Sequence, residues 1–332
     1  MSELRQDLVS GDWIILAPER DRRPHLLGDK KKSRRRPTPK STCPFEPERL
    51  KLAGNWPPVY SYPEGKNWEA IVIPNKYPAL RHSGRCSASF GYGPHQLKTG
   101  AGVHELVITR EHSKSFADLD YRRIALSLGL VQKRYKDLAS DKCNIYTSTW
   151  FNWGASAGAS VYHPHYQMLT LPIVPPDIAH SIKGAKKYFK EHKKCVHCVM
   201  LGFDLKEKKR IICQNRYMVA VAPFISRAPF EVRIFPKEHA PYFDKTSPDR
   251  ILAVAEILKS SLKRIRKYLG DPDFNFFIHT PPLKDHRYNY YHWHIEIIPK
   301  ISIPAGFELG TGVEINVVDP DKAAKILRGK NA

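Results

Sequence analysis

The sequence predicts an α+β fold made of two fused units of one design, each an antiparallel sheet with helices packed on one face. Three observations carry this expectation. One order of motifs occurs twice: a Cys-bearing turn, a strand-like apolar run, a His, an amphipathic helix and a His-x-His. The spacing repeats too, with 51 positions from His112 to His163 and 53 from His239 to His292. A proline-rich stretch, LPIVPPD at 171–177, marks a seam, which places the halves at 1–172 and 173–332.

The first half opens its repeat with Cys43-Pro44-Phe45-Glu46, and ELVIT at 105–109 reads as a strand before His112. Apolar Ile124, Leu128, Val131, Tyr135 and Leu138 then recur three and four apart, as one helix face requires. His163-Pro164-His165-Tyr166-Gln167 closes the half. Strand alternation puts His163, His165 and Gln167 on one face at steps of ~6–7 Å. Pro164 has no N–H to offer a ladder and suits an edge position. The second half runs Cys195-Val196-His197-Cys198, FEVRIF at 230–235, His239, then a helix with Ser247 as N-cap, Pro248 in its first turn and Gly270 as its stop. Its apolar face is Ile251, Val254, Leu258, Leu262, Ile265 and Leu269, and the half closes on His292-Trp293-His294-Ile295-Glu296. Residues 24–42 read as a flexible basic loop, and 84–102, rich in Gly and Ser, as a mobile loop beside a site.

Composition narrows the function. Of 332 residues 42% are hydrophobic and 11% aromatic, enough for a packed core. No apolar run approaches the ~20 residues that span a bilayer. The start, MSELRQDLVSGDW, lacks an apolar signal region, so the expectation is a cytoplasmic protein with no membrane partner. The net charge of +21 favours polyanionic partners. Only +6 of it sits in the run at 29–40; the dispersed remainder reads as the charge of a basic proteome or a phosphate-rich cytosol rather than as a nucleic-acid tail, and no DNA-reading motif is present. Six cysteines in a chain of this length and setting predict no disulfide framework, whereas Cys195-x-x-Cys198 predicts metal or redox chemistry.

Two thiolates and two imidazoles from Cys195, Cys198, His239 and His292 make a tetrahedral zinc set. The first half offers Cys43, Glu46, His112 and His163 in equivalent places, with a harder carboxylate ligand replacing one thiolate. His165 is left as a free imidazole beside a metal ligand. In a basic phosphate pocket such a group can attack phosphorus and form a phosphoramidate, and Gln167 can donate to the phosphate as charge develops. The small-residue stretch from Asn152 to Ser160, through Gly154 and Gly158, predicts a backbone cradle for the anion, with Asn152 and Ser160 as side-chain donors. Glu296 repels phosphate from the equivalent place in the second half, so no nucleophile is expected there; His294 reads as a buried structural His or a supporting ligand, and His279 as a core His or its partner in a further metal site.

These residues resemble one family. The order Cys-Pro-Phe-x, His-Ser-Lys, Asn-x-Gly-x-x-x-Gly-x-Ser-x-x-His-Pro-His-x-Gln is similar to that of galactose-1-phosphate uridylyltransferases, the transferase branch of the histidine-triad superfamily, over essentially the whole chain. The resemblance implies two fused histidine-triad-like units, a homodimer, and ping-pong nucleotidyl transfer from a UDP-sugar to a hexose 1-phosphate. It implies His165 as nucleophile and Gln167 as stabiliser of the intermediate. Arg20, Arg23, Asn75, Asn152, Gly158, Ser160, Phe307 and Glu308 match substrate contacts, Glu308 across the dimer interface. Glu46 departs from a Cys at a ligand position, and Tyr166 stands where Gly is common, which predicts a narrowed pocket. The wording around Cys195 and Cys198 is similar to a sister branch of plant-type ADP-glucose phosphorylases, with two zinc sites and phosphate as acceptor. That branch is the alternative reading; a nucleic-acid-binding protein is a more distant one.

Overall fold

The computed structural model describes residues 1–22, 38–50, 57–82, 84–112, 114–282, 284 and 287–329, without the side chains of residues 21 and 22. Arg23 and most of the basic run fall outside these residues. The chain opens with strands β1 (Glu3–Gln6) and β2 (Trp13–Leu16). The first half continues with helix α1 (Pro47–Leu50), β3 (Tyr60–Tyr62), β4 (Ala70–Pro74), the hairpin β5 (Ser89–Tyr92) and β6 (His95–Lys98), β7 (His104–Thr109), α2 (Tyr121–Ser140), β8 (Tyr146–Trp153) and β9 (His165–Leu171). The second half holds α3 (Pro176–His192), α4 (Val196–Glu207), β10 (Ile211–Gln214), β11 (Met218–Val221), β12 (Val232–Pro236), α5 (Pro248–Leu269), β13 (Phe274–His279), β14 (His294–Pro299), α6 (Gly306–Thr311), β15 (Ile315–Asn316) and α7 (Pro320–Arg328).

Ten strands form one antiparallel sheet in the order β3-β4-β7-β9-β8-β13-β14-β12-β11-β10. The second five mirror the first, so the predicted α+β duplication holds, with the two halves joined edge to edge. The registers locate the axis. Trp150 faces Gln167 across one ladder, Phe277 faces Glu296 across the equivalent one, and Trp150 and Phe277 face each other at the joint. The pseudo-twofold axis runs between those two aromatics.

Alternation along the strands divides the sheet's faces. Val72, Val107, Tyr166 and Met168 point into a large core shared with α2 and α5, where Ile124, Leu128, Val131, Ile251, Val254, Leu258 and Leu262 are buried. Each such aliphatic side chain contributes about 1.5–3 kcal/mol by leaving water. Ser247 and Gly270 bound α5 as expected. On the opposite face Ile71, Ile73, Leu106 and Ile108 pack with Cys43, Phe45 and Leu50, and in the second half Val219, Val221 and Phe235 pack with Leu201 of α4. The segments that bring the first cysteine of each repeat therefore cover the face opposite the long helices.

Four expectations need correction. Pro164 stands at the entry to β9, between β7 and β8, not at a sheet edge; its carbonyl accepts the Thr109 N–H at 3.2 Å. Tyr166 narrows no pocket, because its ring points into the helix-side core against Phe116 and Phe151. The segment at 84–102 is not simply a loop: it carries the exposed hairpin of β5 and β6. Finally, Cys86 and Cys143 form a disulfide, with Cα atoms 4.7 Å apart and a sequence separation of 57. Sequence spacing cannot show that the end of α2 approaches the hairpin's base, where His82 also meets Asp141 at 2.8 Å. Closing such a loop restricts the unfolded chain by up to about 4 kcal/mol. Reductant should lower the urea midpoint accordingly, and Cys86→Ser should show the lower midpoint with no response to reductant. An unchanged midpoint would mean that the thiols are not joined in solution.

Candidate active site

The two predicted tetrads each converge. The donor atoms of Cys43, Glu46, His112 and His163, and of Cys195, Cys198, His239 and His292, lie within 4.8 Å of one another in each set. Cys195 is the N-cap of α4 and Cys198 sits in its first turn; His239 follows β12, and His292 precedes β14. Cys198 Sγ is 3.2 Å from His239 Nδ1 and 3.3 Å from His292 Nδ1. In the first set Cys43 Sγ lies 3.5 Å from His163 Nδ1, and Glu46 Oε1 lies 2.7 Å from His112 Nδ1.

Hydrogen bonds behind these rings decide what they can bind. His112 Nε2 donates to the Thr38 carbonyl, His163 Nε2 to that of Thr109 and His239 Nε2 to that of Asn289, at 2.6–2.7 Å. With Nε2 donating to a carbonyl, each ring in its neutral form turns the Nδ1 lone pair inward, the usual backing of a metal-ligating His. Glu46 Oε1 and His112 Nδ1, buried and with no other hydrogen-bond partner, face each other at ion-pairing distance. A cation between them satisfies both. Burial pushes the His163 pKa down to about 4, which keeps its lone pair available. The Cys198 thiol pulls the Cys195 pKa far down by hydrogen bonding, while Cys198 itself is pushed up.

His165 begins β9 on the face away from the long helices. Its Nδ1 donates to the His163 carbonyl at 2.7 Å, which leaves the Nε2 lone pair free. The Phe45 ring stands edge-on to it, 4.9 Å between centroids. Burial holds the His165 pKa below the usual value, so the ring is neutral and nucleophilic. Gln167, two residues on, shares the face, and its Oε1 lies 3.2 Å from His104 Nε2. Asn75 joins them, with Nδ2 3.2 Å from the same nitrogen.

Asn152 reaches this face from β8. Asn275 of β13 donates to Asn152 Oδ1 at 2.7 Å and to the Ala157 carbonyl at 2.8 Å. The Asn152 NH2 is thus left to donate elsewhere, so a second-half residue orients a first-half one. The expected backbone cradle differs in detail. The N–H groups of Ala157 and Ala159 close on the Gly154 carbonyl, that of Gly158 on Ala155, and that of Ser156 on Asp273. Those donors are spent within the turn; Asn152 and exposed Ser160 provide the outward ones. Gly154, at φ 91°, has no alternative residue, because a Cβ would lie 1.8 Å from the Asp273 carboxylate.

The second-half counterpart is filled. Glu231 and Glu296 occupy the register positions of His104 and Gln167, and Arg233 replaces Leu106 between them. Arg233 Nε lies 2.8 Å from Glu231 and 3.3 Å from Glu296. Burial pushes the Glu231 pKa up to about 7. His294 mirrors His165, its Nδ1 3.2 Å from the His292 carbonyl, but it stacks on His279 at 4.8 Å and meets no open phosphate site.

Among the described residues, no hydrogen bond or ion pair joins Arg20, Phe307 or Glu308 to this cluster; the Glu308 carboxylate instead accepts the Ala305 N–H at the start of α6. Sequence reasoning missed His104, Asn275 and Trp150. Each is an isolated polar or aromatic residue in a strand, meaningful only once the register is known.

A family model described as "Domain of unknown function (DUF4921)" matches residues 96–328. The ADP-glucose phosphorylase of Arabidopsis thaliana is 38% identical over 332 residues, covering 98% of this chain and 92% of that protein. The galactose-1-phosphate uridylyltransferase of Thermotoga maritima is 27% identical over 338 residues, covering 99% and 98%. The crystal structure of an ADP-glucose phosphorylase from Arabidopsis thaliana with bound ADP-glucose superposes with a TM-score of 0.84 at 34% identity, over 100% of both chains. The chain belongs to the DUF4921 family and, by identity over nearly its full length, to the galactose-1-phosphate uridylyltransferase family with its ADP-glucose phosphorylase branch.

Proposed function

We propose that the protein is a sugar-nucleotide nucleotidyltransferase working through a nucleotidyl-His165 intermediate, with ADP-glucose as donor and inorganic phosphate as acceptor. The observation that carries the chemistry is His165 itself: neutral, with Nδ1 tied to a carbonyl and Nε2 free, on the sheet face that also carries Gln167 and Asn152. In the first step Nε2 attacks the α-phosphorus, the bond to the bridging oxygen breaks, and sugar 1-phosphate departs. In the second, an acceptor phosphate oxygen attacks the same phosphorus and the P–N bond breaks, restoring the imidazole. The NH2 groups of Gln167 and Asn152 donate to the phosphoryl oxygens as charge builds. The choice of ADP-glucose rests on the 38% identity to a protein of that name. Uridylyl transfer from UDP-glucose to a hexose 1-phosphate is the second reading, favoured by the His-Pro-His-x-Gln motif and the full-length match to the Thermotoga maritima enzyme.

Zinc fits both tetrads, where it would tie each cysteine-bearing segment to the sheet and hold the His163 backbone against which His165 is oriented. Bound there it supplies cross-linking, and no transfer step runs through it. A homodimer accords with α6, where Phe307 and Leu309 stand exposed beside Glu308, the residue that the family resemblance assigns to a contact across the dimer interface.

The test is intact-protein mass spectrometry after mixing with ADP-glucose, and separately UDP-glucose, without acceptor. An adenylyl adduct supports the first reading, a uridylyl adduct the second, and no adduct with either overturns both. Gln167→Glu should slow adduct formation by about 10²–10³-fold, because it replaces a donor with a negative charge; an unchanged rate would remove Gln167 from the phosphate.

A further inference from the structure

We propose that His104 is a positioning residue, holding the Gln167 side-chain carbonyl so that the Gln167 NH2 faces the reacting phosphate. This rests on the reading of His165 and Gln167 given above.

The backbone fixes the His104 tautomer. The Ala79 N–H donates to His104 Nδ1 at 3.1 Å, so the neutral ring carries its proton on Nε2. That N–H meets two side chains at 3.2 Å, Gln167 Oε1 and Asn75 Nδ2. Asn75 cannot take the proton, because its own Oδ1 accepts the Tyr77 N–H at 3.0 Å and it presents NH2 to the ring. The hydrogen bond therefore goes to Gln167. A flipped Gln167 amide would place a second NH2 against that N–H and leave it with no acceptor. With Oε1 occupied, both Gln167 N–H bonds point away from His104, on the face that carries His165.

The sheet register holds this arrangement. His104 pairs with Leu169 and Leu106 with Gln167, so His104 is the diagonal neighbour of Gln167 on the same face. Trp150, directly across the other ladder from Gln167, lies 5.9 Å from the His104 ring. Desolvation keeps His104 neutral, as the tautomer argument requires. Glu231, in the equivalent second-half place, holds Arg233 instead and orients no amide. Asn275 and Asn152 show the same device at the other amide of the site: a carbonyl is occupied from behind so that the NH2 points forward.

The test is a double-mutant cycle between His104→Leu and Gln167→Ala, read as the single-turnover rate of His165 labelling with ADP-glucose and, in parallel, UDP-glucose. His104→Leu should lower the labelling rate and kcat about 10–100-fold and change KM by less than about 3-fold. In the Gln167→Ala background the same substitution should cost under about 2-fold. His104→Gln, which retains an N–H donor, should recover most of the loss, and its melting temperature serves as the check on folding. Additive losses, or an effect confined to KM, would overturn the proposal while leaving His165 as nucleophile. Loss of the transfer reading itself would appear differently, as labelling that survives His165→Ala.

Discussion

His165→Ala should abolish covalent labelling and lower turnover by at least about 10⁴-fold, the scale on which removing a nucleophile acts. The fold should persist. The His165 main chain keeps its place opposite Ile108 in the ladder, and the lost contacts are one hydrogen bond and an edge-on ring. Circular dichroism and the melting temperature of the variant should thus stay near those of the parent, and turnover retained by a folded variant would remove His165 as nucleophile. The pH dependence carries a second check. The attacking form is the neutral one, and burial lowers the His165 pKa from its ordinary 6.5. The acid limb of adduct formation must then lie below pH 6.5. A labelling rate that falls by half already between pH 7.5 and 6.5 would contradict the buried, neutral ring.

The largest effect on stability should come from Cys195→Ser, or from stripping metal with a chelator. The second tetrad joins the start of α4 to the chain after β12 and before β14, and none of its members reaches the His165 cluster. Losing the metal leaves the donor atoms of the tetrad facing one another without their common partner, with His292 buried among them, at a cost on the order of 3–5 kcal/mol. At about 2–4 °C per kcal/mol for a large domain, the melting temperature should drop by about 10 °C. Turnover well below the transition should change less than about threefold. Metal analysis supplies the contrary result: purified protein without zinc, melting as the loaded protein does, would overturn the assignment of both tetrads.

The repeat was legible because its markers are sparse and chemically distinctive. Cysteines, paired histidines and two helices with clean apolar faces recur in order, and the structure places them in equivalent positions. Both tetrads and the His165–Gln167 pair followed from alternation and spacing alone. What escaped depended on register. His104 and Gln167 are 63 residues apart, Asn152 and Asn275 123, and nothing local to either partner announces the contact. The Cys86–Cys143 bond escaped for a related reason: it joins a hairpin base to a helix end whose approach only the tertiary fold determines. The backbone cradle was read too broadly because Asp273, from the other half, accepts the Ser156 N–H and carbonyls of the turn accept those of Ala157, Gly158 and Ala159.

The joint between β8 and β13 carries an implication about ancestry. An antiparallel ladder is itself two-fold symmetric, so a single-half ancestor could have paired the counterpart of β8 with its own copy and closed the same ten-stranded sheet from two separate chains. On the proposed reading only the first half reacts, and the register positions of the second carry other residues. Where the first half keeps His104, Leu106 and Gln167, the second set Glu231, Arg233 and Glu296, and its Asn275 came to serve the neighbouring site. On the proposed reading the second half is more than a duplicate: through Asn275 of β13 it orients Asn152 of the first half, so a substitution along β13 is expected to lower activity without touching a reacting group.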